Sequence, residues 1–225
     1  MKFSGIQKTS LVDFPDHLAS VLFTPGCNLR CPYCHNWRIV IDPKPPFLTD
    51  EMVLEILQER KSFVDAVVVT GGEPTIHREL PKFLKKLKER DFLVKLDTNG
   101  LNPHAVEDCL PYVDYVALDV KTSLRKYGRL GAGDPSELVR TIDILKTGKV
   151  ECEFRTTVAP GFVGEEDMVE IGELVKGVKN YVLQQFVADD PLDKAFISLT
   201  PYSSVDIARF AEGMKTYAEN VTLRV

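Results

Sequence analysis

Apolar, β-branched runs recur at 19–24, 65–70, 92–97, 114–120, 150–158 and 180–186, and segments of helical spacing separate or follow them. This alternation restricts the chain more than any other feature, because strands that alternate with helices pair in parallel through right-handed crossovers. Runs such as Ala66-Val67-Val68-Val69 show no polar alternation, which suits strands covered on both faces. The intervening segments supply the cover. Thr49 can cap a helix with Val53, Ile56 and Leu57 along one side, and Leu80, Phe83, Leu84 and Leu87 repeat that stripe. A third helix is marked by Asp134 as N-cap, Pro135 at its first position, Leu138, Ile142 and Leu145 facing inward, and Gly148 as a left-handed terminator. Two more fit 168–175 and 205–217. Six strand–helix units fit 225 residues, whereas a closed eight-unit barrel typically needs about 250. The expected fold is therefore α/β: a partial (β/α)6 barrel, its parallel sheet open on one side, built as a single domain over 1–225. A doubly wound open sheet is the alternative. Either architecture gathers ligands at the C-terminal ends of the strands.

Composition narrows the function classes. With 44% hydrophobic and 27% charged residues the chain can bury a sizeable core. A net charge of -5 argues against a surface that tracks phosphates, so nucleic acid is not an expected ligand. No stretch approaches the ~20 apolar residues of a spanning helix and the first ten residues are polar, so neither membrane nor export is expected and the location read from the sequence is cytoplasmic. Five cysteines are an odd number for a disulfide framework. Cys109 and Cys152 stand alone and read as small buried hydrophobes.

The other three, Cys27, Cys31 and Cys34, fall within eight residues of one another in TPGCNLRCPYCHNW, directly after the first strand. Pro25, Gly26 and Pro32 keep that segment out of regular structure, so it can wrap three thiolates around one centre. Three thiolates satisfy three irons of a [4Fe–4S] cube and leave the fourth open to a ligand, whereas electron-carrier clusters are held by four. A zinc site completed by His35 is the competing reading, and so is a redox-only carrier. The direct adjacency of Cys34 and His35 fits a tetrahedron poorly and favours the cluster.

Further polar residues sit where strands should end. Gly71-Gly72-Glu73-Pro74 follows the second strand, where missing side chains let backbone approach a ligand or simply make a turn. Asp97, Thr98 and Asn99 end the third strand, and Asp119 and Lys121 the fourth. Two carboxylates about 5 Å apart at an effective dielectric of ~20 repel by about 3 kcal/mol, which calls for a cation, either Lys121 or a bound monovalent ion. Arg155 inside an apolar strand needs an anionic partner, with Asp119 and Glu153 as candidates beside a ligand carboxylate. Gln184 and Gln185 end the sixth strand. His17, His77 and His104 read as surface or helix-flank residues, and Trp37 as a neighbour of the cysteine loop or the cover of a base.

C-x-x-x-C-x-x-C with an aromatic, Tyr33, before the last cysteine resembles the signature of radical S-adenosylmethionine enzymes. More narrowly, GIQKTSLVDFPDHLASVLFTPGCNLRCPYCHNW is similar to the activating proteins of anaerobic ribonucleoside-triphosphate reductases, a branch of the glycyl-radical-enzyme activases, and the resemblance extends over most of the chain. It implies a [4Fe–4S] cluster on Cys27, Cys31 and Cys34, with S-adenosylmethionine on the fourth iron and Tyr33 and His35 beside it. It further implies that Gly71, Gly72 and Glu73 hold the amino group, that Asp119 and Lys121 take ribose and carboxylate, and that a monovalent cation sits near Asp97, Thr98 and Asp119 in some relatives. Arg155 matches the family's R-x-x-x-V-x-P-G pattern and Asn99 an activase segment. Gln184 departs from the histidine that some activases place against the nucleoside. The implied reaction is reductive cleavage to methionine and a 5′-deoxyadenosyl radical, with electrons from a donor such as flavodoxin or ferredoxin. The implied partner is an anaerobic ribonucleotide reductase. Lack of a second cysteine cluster, and of sequence to enclose a metabolite, favours a protein substrate over a small molecule.

Overall fold

The computed structural model describes residues Met1–Arg224. Among them, eight strands form one sheet: β1 (Gly5–Ser10), β2 (Ala19–Thr24), β3 (Ala66–Gly71), β4 (Leu93–Thr98), β5 (Tyr115–Asp119), β6 (Glu151–Val158), β7 (Val178–Gln185) and β8 (Ala218–Arg224). Their order across the sheet is their order in the chain. β2 through β8 are parallel and β1 runs antiparallel to β2. The six expected strands are β2 to β7, within one or two residues of the read boundaries. β1 and β8 are additions at the two edges. Each is an edge strand of largely polar sequence, so neither carries the continuous apolar run that marks a buried one.

Among the described residues seven α-helices accompany the strands: α1 (Trp37–Ile41), α2 (Asp50–Glu59), α3 (Leu80–Lys88), α4 (Pro103–Cys109), α5 (Ser136–Lys146), α6 (Glu165–Val175) and α7 (Ser204–Met214). Thr49 caps α2, its hydroxyl accepting from the Met52 N–H at 3.3 Å, and Val53, Leu54 and Leu57 are buried. α3 buries Leu80, Phe83, Leu84 and Leu87, each contributing roughly 1.5–3 kcal/mol by leaving water. α5 starts one residue later than read, at Ser136, because Pro135 takes the cap position; the Asp134 carboxylate still accepts the Ser136 N–H at 2.9 Å. Gly148 follows it at φ +73°, as expected of a left-handed terminator.

Alternate strand residues divide between two cores. Leu22, Val67, Val69, Val94, Leu96, Val116 and Leu118 pack outward under the helices, while Ala19, Val21, Ala66 and Val68 form a smaller inner cluster with Phe14. The segment between β1 and β2 thus plugs one end of the half-barrel. Phe14 lies 6.0 Å from the Tyr115 ring, and Lys95 Nζ donates to the Asp13 carbonyl at 2.5 Å. The interior above this plug is charged, and the other end is open. Cys109 is buried and Cys152 half-buried. Among the described residues no helix is long and apolar enough to cross a membrane.

Candidate active site

A cavity of about 380 Å³ opens at the C-terminal ends of the strands. All the residues singled out above as cluster or cofactor candidates line it: Cys27, Tyr33, Cys31, Cys34 and His35 from the loop after β2, Gly71 to Glu73 after β3, Asp97 to Asn99 at β4, Asp119 and Lys121 at β5, Arg155 on β6 and Gln184 on β7. Asn36, Thr157 and Gln185 join them. Thr157 was legible in principle, because it lies two residues from Arg155 and therefore on the same strand face. Asn36 anchors the loop by donating to the Gly71 carbonyl at 2.9 Å.

The first two loops are locked backbone to backbone. Gly72 donates to the Thr24 carbonyl at 2.9 Å, and Glu73 N–H to the Gly26 carbonyl at 2.9 Å. The glycines thus serve close approach between chain segments, as well as facing the cavity. Glu73 is turned inward. One carboxylate oxygen accepts from the Thr75 N–H (3.0 Å), the Thr75 hydroxyl (2.6 Å) and the Thr98 hydroxyl (2.7 Å), and the other from the Asn99 N–H (2.7 Å). Its side chain therefore ties the β3 loop to the β4 loop, and Thr98 Oγ1 is taken by the same acid. Burial nevertheless pushes its carboxyl up.

Asp97 and Asp119 meet protein cations. Arg155 bridges them, Nε to Asp119 at 2.8 Å and NH1 to Asp97 at 3.3 Å, while Lys121 reaches Asp119 at 2.9 Å and Lys95 stands 3.2 Å from the other Asp97 oxygen. That last oxygen has no hydrogen bond of good geometry. Both acids expected for Arg155 are thus beside it, Asp119 in direct hydrogen bond and Glu153 at 3.7 Å, and Asp97 is a third. Burial alone would raise the Asp119 carboxyl, but Arg155 and Lys121 hold it well below the usual carboxylate range. Beneath this pair lies Glu153, held bidentately by Arg224 at 3.1 and 2.7 Å.

Burial pushes the Cys27 thiol up to about 12, reinforced by Glu73, and the Cys31 thiol to about 11, opposed by Lys121. Cys34 is raised by the same cause. Three thiols on one wall are a soft donor set suited to iron–sulfur chemistry. His35, the fourth ligand that a closed zinc site would need, turns its Nε2 to the Val187 carbonyl at 2.9 Å, so three thiols with no fourth protein ligand fit a cluster with one open iron better than they fit one zinc.

The segment after β7 clasps the loop from the other side. Leu192 N–H donates to the Cys34 carbonyl at 3.1 Å and Asp193 N–H to the Pro32 carbonyl at 2.8 Å. His35 Nε2 lies 2.9 Å from the Val187 carbonyl, and Trp37 Nε1 donates to the Asp190 carbonyl at 3.1 Å. Trp37 therefore packs beside the loop and does not line the cavity. His77 is more than a flank residue, since its Nε2 lies 2.9 Å from the Pro25 carbonyl. His17 and His104 stay at the surface, beside Asp65 and Glu107.

Residues 21–175 match the family described as the Radical SAM superfamily. A provisionally named glycyl-radical enzyme activating enzyme of Methanocaldococcus jannaschii is 34% identical over 230 residues, covering 98% of this chain and 95% of the relative. The pyruvate formate-lyase-activating enzyme of Staphylococcus aureus is 32% identical over 194 residues, 78% of this chain and 76% of that one. Among solved structures, Streptococcus suis SuiB bound to S-adenosylmethionine superposes with a TM-score of 0.69 at 16% identity, over 91% of this chain and 52% of SuiB. This chain thus spans about half the length of SuiB. QueE from Escherichia coli gives 0.54 at 20% identity, over 81% and 83% of the two chains. At these identities the two structures speak for the fold, a partial barrel.

Proposed function

This chain belongs to the radical SAM superfamily, and we propose that it is the activase that generates a glycyl radical on an anaerobic ribonucleoside-triphosphate reductase. The observation that carries the reading is the meeting of Cys27, Cys31 and Cys34 with the residues of five strand ends on one cavity wall. Cys27, Cys31 and Cys34 would hold a [4Fe–4S] cluster, which when bound would supply the one-electron reductive cleavage of S-adenosylmethionine. The chain's own residues bind and orient. Asp119 and Lys121 offer an acceptor for ribose hydroxyls and a cation for the carboxylate. Backbone groups of Gly71 and Gly72 face the amino end, and Gln184 offers an amide to the nucleoside. Arg155, committed to Asp97 and Asp119, keeps the acid pair in place. Leu29, Tyr33, Phe186 and Val187 supply apolar wall that limits water around a reactive species.

The choice of a reductase rests on the likeness of the run from Gly5 to Trp37 to that branch. The Staphylococcus relative makes pyruvate formate-lyase the specific competitor. Anaerobic mixing of the reconstituted protein, S-adenosylmethionine and a chemical reductant with each candidate decides between them. A glycyl doublet in the reductase by electron paramagnetic resonance, with deuterium passing from its glycine α-carbon to 5′-deoxyadenosine, supports the proposal. A doublet only in the lyase moves the partner. Consumption of a small metabolite with no protein radical moves the substrate class. An intact S-adenosylmethionine pool in cluster-replete, reduced protein removes the reaction altogether.

A further inference from the structure

Arg30 stands between Leu29 and Cys31, both of which line the cavity, but is itself absent from the wall and exposed to solvent. Its guanidinium folds back on the loop, NH1 donating to the Cys27 carbonyl at 2.7 Å and the Leu29 carbonyl at 2.8 Å. Its N–H donates to the Leu130 carbonyl at 2.7 Å, which joins the cysteine loop to the 3-10 segment Leu124–Leu130. Arg129 of that segment is likewise exposed and off the cavity wall. It lies 4.4 Å over the Phe162 ring, with NH1 on the Gly161 carbonyl at 3.0 Å. Its neighbours Arg125 and Lys126 are paired with Glu166, Asp167 and Glu170 of α6. Among the described residues Arg30 and Arg129 form no ion pair. In a chain of net charge -5, two uncompensated guanidinium groups are thus fixed by backbone carbonyls, Arg30 on the thiol-bearing loop and Arg129 on the segment hydrogen-bonded to it.

We infer that this face, carried by Arg30 and Arg129, is the docking surface for an acidic electron-carrier protein. The inference rests on the proposed function, which consumes one electron from outside the chain for each S-adenosylmethionine cleaved. The carrier loses that electron and the metal centre behind the loop gains it, and no bond or proton passes between the two proteins. A glycyl-radical protein must instead reach the cavity, from whose wall both arginines are missing. Electron-transfer encounters are small and brief, so they depend on steering more than on buried area. Guanidinium groups already held in place lose little freedom on pairing with carboxylates.

Reduced flavodoxin, as an acidic probe, is compared with photoreduced deazaflavin, a small reductant that needs no docking face. The variants are Arg129→Glu, which leaves the cysteine loop's own hydrogen bonds intact, and Arg129→Glu with Arg30→Gln. Flavodoxin-driven cleavage is expected to slow severalfold in Arg129→Glu and about tenfold in the double variant at low ionic strength and to approach wild type near ~0.5 M salt, with the deazaflavin-driven rate unchanged in Arg129→Glu. Calorimetric titration of flavodoxin, which needs no turnover, should show a parallel weakening. Unchanged flavodoxin binding and rate in both variants overturns the proposal. So does an equal fall with both reductants in Arg129→Glu, or weakened binding of the glycyl-radical protein in place of flavodoxin. If wild-type protein cleaves nothing with deazaflavin, the proposed function fails while the titration still decides the docking face.

Discussion

A Cβ placed on Gly72 would lie 1.7 Å from the carbonyl oxygen of Gly26. The turn after β3 and the start of the cysteine loop are therefore in backbone contact, and neither can move without the other.

Gly72→Ala must force these segments apart, and because the obstacle is backbone it cannot swing aside. A loss of about 3 kcal/mol is expected in urea unfolding of the apoprotein, together with reduced iron retention after reconstitution. Gly133 meets nothing within 4 Å. Gly133→Ala should stay within about 0.5 kcal/mol of wild type, and an equal loss at both sites would show that the contact is not the cause.

Glu73→Gln keeps the shape but leaves an amide N–H₂ facing a donor, either the Asn99 N–H or the Thr75 and Thr98 group. About 2 kcal/mol of stability should go. Because the acid joins two cavity loops, affinity for S-adenosylmethionine, followed by equilibrium dialysis, should fall as well. Unaltered affinity in a folded variant would separate the Glu73 network from the binding surface.

Arg155→Met removes the bridge between Asp97 and Asp119 and leaves each acid with one lysine, Lys95 and Lys121, a loss of about 3 kcal/mol at neutral pH. The sign of its pH dependence follows from Asp119, whose carboxyl is held low by Arg155 and Lys121. In wild type that stabilisation is complete above the ordinary carboxylate value of ~3.9 and is lost as pH falls through the lower folded value. In the variant protons replace the missing cation as pH falls, so the stability gap should narrow below about pH 4. A gap that widens with acid would contradict the bridge.

Trp37 is the only tryptophan, so its emission reports the clasp. Hydrogen bonds from Lys194 and Arg38 hold the Asp190 carboxyl down at about 2. The ion pairs therefore persist above ~3.9 and go as pH falls toward 2. Emission should shift to the red across that window in wild type. Asp190→Asn should start red-shifted at neutral pH and lose iron to a chelator severalfold faster after reconstitution. Emission identical to wild type would place Trp37 outside the clasp's influence.

The six central strands and the main helices were legible because burial on both faces leaves continuous Val- and Leu-rich runs and helical stripes. β1 and β8 were not, since an edge strand needs only one neighbour and tolerates sequences such as GIQKTS. The site residues were legible as a set because the ends of parallel strands converge. Their individual partners were not. Glu73 read as part of a segment that holds a bound amine, and the hydrogen bonds of its carboxylate to Thr75, Thr98 and Asn99 left no sign in the sequence. The acid pair read as wanting a cation such as Lys121, which does reach Asp119, but the bridging by Arg155 was not legible.

The sequence by itself determined the donor set and the end of the sheet at which it stands. Three thiols within eight residues cannot separate, and period-two alternation fixes which strand residues face inward. Only the tertiary structure decided which charge meets which. Asp119 is level with Arg155 across β5 and β6, while Asp97 is level with Ala117. Register between strands tens of residues apart is set by crossover length and helix packing, neither of which leaves a local pattern in the chain. The clasp on the cysteine loop is of the same kind: hydrogen bonds from Leu192 and Asp193 backbone to Pro32 and Cys34 depend on where the chain runs, and little on the side chains it carries there.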